Sequence, residues 1–131
     1  MTEKTITICG KEVGLTYCYA TEIAFKDLSD GDITDFMQEA VESIQQQRMP
    51  DVKKSLYLII AAHMAYTQAK GISEPAVKDS DLMTAATPDE VGTALGTIIA
   101  LRTEFYHVPR GEPEDKPEPD GKKGKGKRKN A

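Results

Sequence analysis

Residues 51–71, DVKKSLYLIIAAHMAYTQAKG, decide the fold. At helical spacing, Val52, Leu56, Ile59, Ile60, His63 and Tyr66 or Thr67 make one stripe, while Tyr57, Leu58, Ala61, Ala62, Met64 and Ala65 make most of the remaining circumference apolar as well. A helix apolar nearly all round has to be covered on several sides, so this one is expected at the centre of the molecule. Its longest apolar run, LYLIIAAHM at 56–64, is about half the length that crosses a bilayer, which predicts a buried segment and no membrane partner. Pro50 and Asp51 suit its first turn, and Gly71 can supply a left-handed C-cap.

Upstream, TITIC at 5–9, Gly10-Lys11 and EVGLTY at 12–17 read as a β-hairpin rich in β-branched residues around a glycine-containing turn. A two-residue loop at Gly10-Lys11 would set Cys9 opposite Glu12, Ile8 opposite Val13 and Ile6 opposite Leu15. That register gathers four aliphatic residues on one side and leaves Thr5, Thr7, Gly14 and Thr16 on the other. Cys9 and Cys18 are not partners in it, so no disulfide between them is expected.

Between hairpin and central helix, ATEIAFKDL at 20–28 predicts a short helix with Ala20, Ile23, Ala24 and Leu28 on its inner face, broken by Ser29-Asp30-Gly31. Asp32 then caps a second helix in which Ile33, Phe36, Met37, Ala40, Val41 and Ile44 follow the i, i+3, i+4 rule, with acidic and polar residues outside. Downstream, a loop holds a short helix over about 80–86. Thr87-Pro88-Asp89-Glu90 is a complete helix start, with Thr as N-cap, Pro at the first helical position and Glu90 closing a capping box. Val91, Ala94, Leu95, Ile98, Ile99, Arg102 and Phe105 trace the inner face of that last helix, which Pro109 ends. Gly92 and Gly96, four apart, would permit close approach by another helix. The predicted fold class is therefore α+β and mostly helical. An N-terminal hairpin precedes four to five bundled helices in one domain over residues 1–109, followed by a disordered charged tail over 110–131.

Composition narrows the function classes. A chain of 131 residues has room for one core, and with 39% hydrophobic residues, 6% aromatic and no Trp, that core must be aliphatic. The net charge of −4 divides unevenly: residues 111–131 hold seven bases and five acids, leaving −6 on the rest. An acidic body is a poor surface for phosphate, and the Lys-rich end lacks aromatic residues that would stack bases, so nucleic acid is not the expected partner. Two cysteines and no apolar leader predict a chain kept in a reducing cytoplasm.

Catalysis gathers nucleophiles, bases or metal ligands, and here the two His are far apart while the two Cys sit nine residues apart on the hairpin. The sequence has no GxxxxGKS, GxGxxG, HExxH or CxxC. His63, inside an apolar run, reads as a core histidine, and His107 as a complement to a helix dipole. No catalytic residue, metal or cofactor is expected, and a binding protein is.

The order of elements and the wording of four stretches, TITICGKEVGLTYCYATEIAFKDL, DITDFMQEAVESI, DVKKSLYLIIAAHMAY and TPDEVGTALGTIIALRTEFYH, resemble the tail assembly chaperones of long-tailed bacteriophages and prophages over roughly residues 4–109. The resemblance implies a protein in the cytoplasm of a bacterial host that coats the tape measure protein before the tail tube closes around it. It also implies a short form extended by ribosomal frameshifting into one able to recruit the tail tube protein. Gly121-Lys122-Lys123 or Lys123-Gly124-Lys125 could be encoded by slippery heptamers, and the chain stops eight residues after Lys123. Leu58, Ala62, Met64, Gly92, Gly96 and Ile99 are the candidate partner-binding or self-association residues, on the apolar third helix and the glycine face of the last. The competing readings are a nucleic-acid-associated protein using its basic tail and a structural tail component.

Overall fold

The computed structural model describes residues 2–107. The expected disordered tail, the end of the domain at 109 and the frameshift positions Gly121, Lys122, Lys123, Gly124 and Lys125 lie outside the described residues. Within them, strands β1 (Glu3–Ile8) and β2 (Lys11–Thr16) form an antiparallel hairpin. Helices α1 (Tyr19–Ser29), α2 (Ile33–Gln45), α3 (Val52–Lys70), α4 (Asp79–Ala85) and α5 (Pro88–His107) follow.

The hairpin has the expected faces but not the expected register. Ile8 pairs with Lys11 and Ile6 with Val13, so the loop is Cys9-Gly10 rather than Gly10-Lys11. Both loop residues have positive φ, 55° and 76°, as a type I′ turn requires. Cys9 tolerates this because its neighbours clamp it. Its N–H donates to the Glu90 carboxylate at 3.2 Å and its thiol lies 3.6 Å from the Asp81 carbonyl oxygen. The slide moves each pairing by two residues, which preserves parity. Ile8, Val13 and Leu15 are accordingly buried, with Ile6 packed against them. Both cysteines are free thiols.

Helix α3 occupies the centre, packed against α1, β2, α4 and α5. Nine of its residues are buried, among them Leu56, Leu58, Ile59, Ala61, Ala62 and His63. Asp51 is its N-cap, accepting from the Lys54 N–H at 2.9 Å, so Pro50 and Asp51 precede the first turn rather than forming it. Gly71, at φ 69°, ends the helix in the left-handed conformation and lets the Ile72 N–H reach the Thr67 carbonyl at 2.9 Å. Gly14 on β2 admits a close approach on the other side of the sheet: a Cβ there would collide with the Tyr66 ring. With that ring seated, the imidazole of His63 bonds the Gly14 carbonyl at 2.8 Å and accepts the Ala76 N–H at 2.9 Å. Since a carbonyl only accepts and an amide N–H only donates, Nδ1 carries the proton and Nε2 the lone pair.

The last helix starts as its sequence predicts. Glu90 N–H donates to Thr87 Oγ1 at 3.2 Å, and Glu90 Oε1 accepts the Thr87 N–H at 3.0 Å. Its buried face is Val91, Ala94, Leu95, Ile98 and Leu101; Ile99, Arg102 and Phe105 are half-buried beside it. Helix α2, capped by Asp32 with bonds to Thr34 N at 2.7 Å and Asp35 N at 3.1 Å, buries Phe36, Met37, Ala40 and Ser43. Val41 and Ile44, expected inside, are exposed, because α2 packs mainly against α1 and α5 and buries only a narrow stripe.

Candidate functional site

Helix α1 is rotated relative to its expected inner face, and the rotation creates an apolar groove. Thr21 is drawn inward because its hydroxyl donates to the Thr16 carbonyl at 3.0 Å and accepts the Cys18 N–H at 3.2 Å. One turn on, Phe25 is buried and stacks on Phe36 with ring centroids 5.6 Å apart. With Thr21 and Phe25 facing the core, the 100° advance per residue turns Tyr19 and Ile23 to solvent. Both are 62% exposed. Ala20, Ala24 and Leu28 fall between the two directions and face Met64, Ala65 and Gln68 of α3. The resulting groove encloses about 320 Å³, and Asp27 is the one charged residue lining it.

A cluster of aromatic and charged groups, Tyr19 and Glu22 among them, fastens α1 to the last turns of α5. Tyr17 donates its hydroxyl to Glu22 Oε2 at 2.7 Å, and Tyr106 donates to the same oxygen. Arg102 Nε donates to the Tyr17 hydroxyl at 3.3 Å while its guanidinium lies 5.3 Å from the Tyr106 ring centroid. Phe105 meets Tyr19 edge-on at 5.2 Å. Burial, and then the bond to Glu22, push the Tyr17 phenol well above its usual value. The Glu22 bond, and then burial, push Tyr106 up to about 12. These shifts keep both phenols as neutral donors, which is the reverse of what a tyrosine base or nucleophile needs. Because both phenols are raised above their unfolded values, the stability they contribute is present below about pH 10. It should fall as pH rises toward and beyond 12. Alkaline unfolding followed by circular dichroism should begin above pH 10 and be shallower in a Tyr17→Phe, Tyr106→Phe double variant. Equal alkaline slopes would remove the cluster as the cause.

The six candidate residues separate into four places. Leu58 and Ala62 are fully buried in the core and cannot reach a partner, because α3 is covered on the sides they face. Met64, 46% exposed, lines the α1–α3 groove. Gly92 and Gly96 line a second groove, between β1 and α5, where an added Cβ on either meets open space. Ile99 lines a third, between α2 and α5, with Val41 and Met37. Among the described residues no group of three or more His, Cys, Asp or Glu could hold a metal ion, and no helix is long and apolar enough to cross a membrane. The outward apolar face of α1 escaped the sequence reading, though Tyr19 and Ile23 at i, i+4 were a usable signal. The hydrogen bonds of the Tyr17–Glu22–Tyr106–Arg102 cluster join residues up to 85 apart and left no local trace. The chain matches no protein-family model, no curated protein and no solved structure.

Proposed function

We propose that the chain is a non-catalytic binding protein that covers apolar stripes of a helical partner. The partner is the tape measure protein of a phage or prophage, and the role that of a tail assembly chaperone in the host cytoplasm. The observation that carries the proposal is the α1–α3 groove, where Ile23, Leu28 and Met64 stand 62%, 38% and 46% exposed around a floor of alanines. Exposed apolar area gathered in a groove between two helices suits an amphipathic helix laid along it, with side chains at i, i+3 and i+4 as anchors. Hiding a fully exposed side chain of this size from water is worth roughly 1.5–3 kcal/mol, so three partner side chains seated in the groove contribute about 4.5–9 kcal/mol before the cost of association. An extended form of the chain would add the domain that recruits tail tube protein.

The purified chain is titrated into the tape measure protein encoded beside it, by calorimetry. Saturable binding is expected, weakened at least about tenfold by Ile23→Glu, a solvent-facing change that leaves the fold intact. Gly92→Ala, in a different groove, should bind as the native chain does. A native chain with no affinity, or Ile23→Glu binding undiminished, defeats the proposal.

A further inference from the structure

Among the described residues, strand β1 pairs with β2 along one edge and with no strand along the other. Because Ile8 and Lys11 flank a two-residue loop, Lys4, Ile6 and Ile8 point their backbone N–H and C=O groups at β2, and Glu3, Thr5 and Thr7 point theirs away. On β2 two of the outward carbonyls are taken: that of Gly14 bonds His63, and that of Thr16 accepts from Thr21. Among the described residues no hydrogen bond reaches the outward backbone groups of Thr5 or Thr7, and both residues are exposed. A row of unpaired groups of this kind is a template for another strand. Beside it runs a groove of about 440 Å³, with Lys4, Thr5 and Ile6 on one wall and Gly92, Gly96 and Ala100 on the other.

We propose that this edge pairs with the same edge of a second copy, antiparallel about a two-fold axis through Thr5, to give a four-stranded sheet. The register satisfies both copies at once, as a closed two-fold interface must. Thr5 meets the partner's Thr5, Glu3 meets the partner's Thr7 and Lys4 meets the partner's Ile6, so no charge faces its own kind. The three small residues on α5 leave room for the second copy's last helix to approach over the joined sheet. The chain's own C-terminal segment is a poor occupant, since Pro113, Pro117 and Pro119 remove donors the ladder needs. This edge and the α1–α3 groove have no lining residue in common, so the dimer leaves that groove open and does not depend on its role.

Sedimentation of the full chain across the micromolar to millimolar range, with amide exchange read in parallel, tests the pairing. The native chain should shift from monomer to dimer, and the Thr5 and Thr7 amides should slow as concentration rises while those of Lys4, Ile6 and Ile8 are slow throughout. Thr5→Pro removes one outward N–H and no ladder bond, and should be monomeric; Thr5→Val, which keeps that N–H, should dimerise. Gly96→Leu, entering open space, gives a second folded variant that should lose the dimer. A native chain monomeric throughout, or Thr5→Pro dimerising as the native chain does, overturns the proposal. So does a monomer whose Thr5 amide is protected only by an added extended peptide of foreign sequence, an outcome that assigns the edge to another protein's strand.

Discussion

Replacing His63 with Phe should cost about 3 kcal/mol, or on the order of 15 °C in Tm, although the new ring is as apolar as its neighbours on α3. The ring of His63 is 3% exposed and joins two segments that α3 would otherwise meet only through apolar contact. Nδ1–H holds the Gly14 carbonyl of β2, and Nε2 holds the Ala76 N–H of the loop before α4. Phe keeps the volume and the contact with Tyr66, whose ring lies 6.2 Å from that of His63 at 15°. It leaves a buried acceptor and a part-buried donor with no partner, each costing about 1–3 kcal/mol. His63→Gln, with one donor and one acceptor on the same group, should recover part of the loss. Urea unfolding of the three proteins at neutral pH measures it. A loss under about 1 kcal/mol in His63→Phe would mean that water reaches both orphaned groups.

That histidine shows where sequence reasoning reached and where it stopped. Its place in an apolar run identified it as a core residue, but its two partners lie 49 and 13 residues away and have no local signature. Features made by neighbours in sequence were legible: the Thr87–Glu90 capping box, the Asp32 cap, the Gly71 end of α3 and the central place of that helix, covered on several sides. The hairpin was legible to the level of parity. Its faces follow from alternation, whereas its register depends on Cys9 adopting positive φ, which Glu90 and Asp81 stabilise from across the molecule. The groove was legible least. Periodicity assigned Ala20, Ile23, Ala24 and Leu28 to the core, because an apolar stripe on a short helix does not say whether it faces inward. The hydroxyl of Thr21 and the Phe25–Phe36 stack settled the rotation the other way. A polar residue turning inward to satisfy a buried carbonyl is a tertiary event, and it can override a pattern of apolar spacing worth only a few side chains.

Leu58 and Met64 turn this distinction into a measurement, since both belong to the same apolar helix and both were candidates for contact with a partner. Leu58→Ala should lower stability by about 3 kcal/mol, because the side chain is wholly enclosed and its removal leaves a cavity in a packed centre. Met64→Ala should cost less than about 1 kcal/mol, because nearly half of the side chain is already in water and little packing is lost. Affinity for the helical partner should follow the opposite order. The folded fraction of Leu58→Ala presents an unchanged groove and should bind as the native chain does, whereas Met64→Ala loses an anchor that becomes buried only in the complex. Denaturant unfolding and calorimetric titration on the same two variants separate the two quantities. If Met64→Ala binds normally while Leu58→Ala binds weakly at matched folded concentration, the third helix acts through the integrity of the core, and the exposed methionine has no part in recognition.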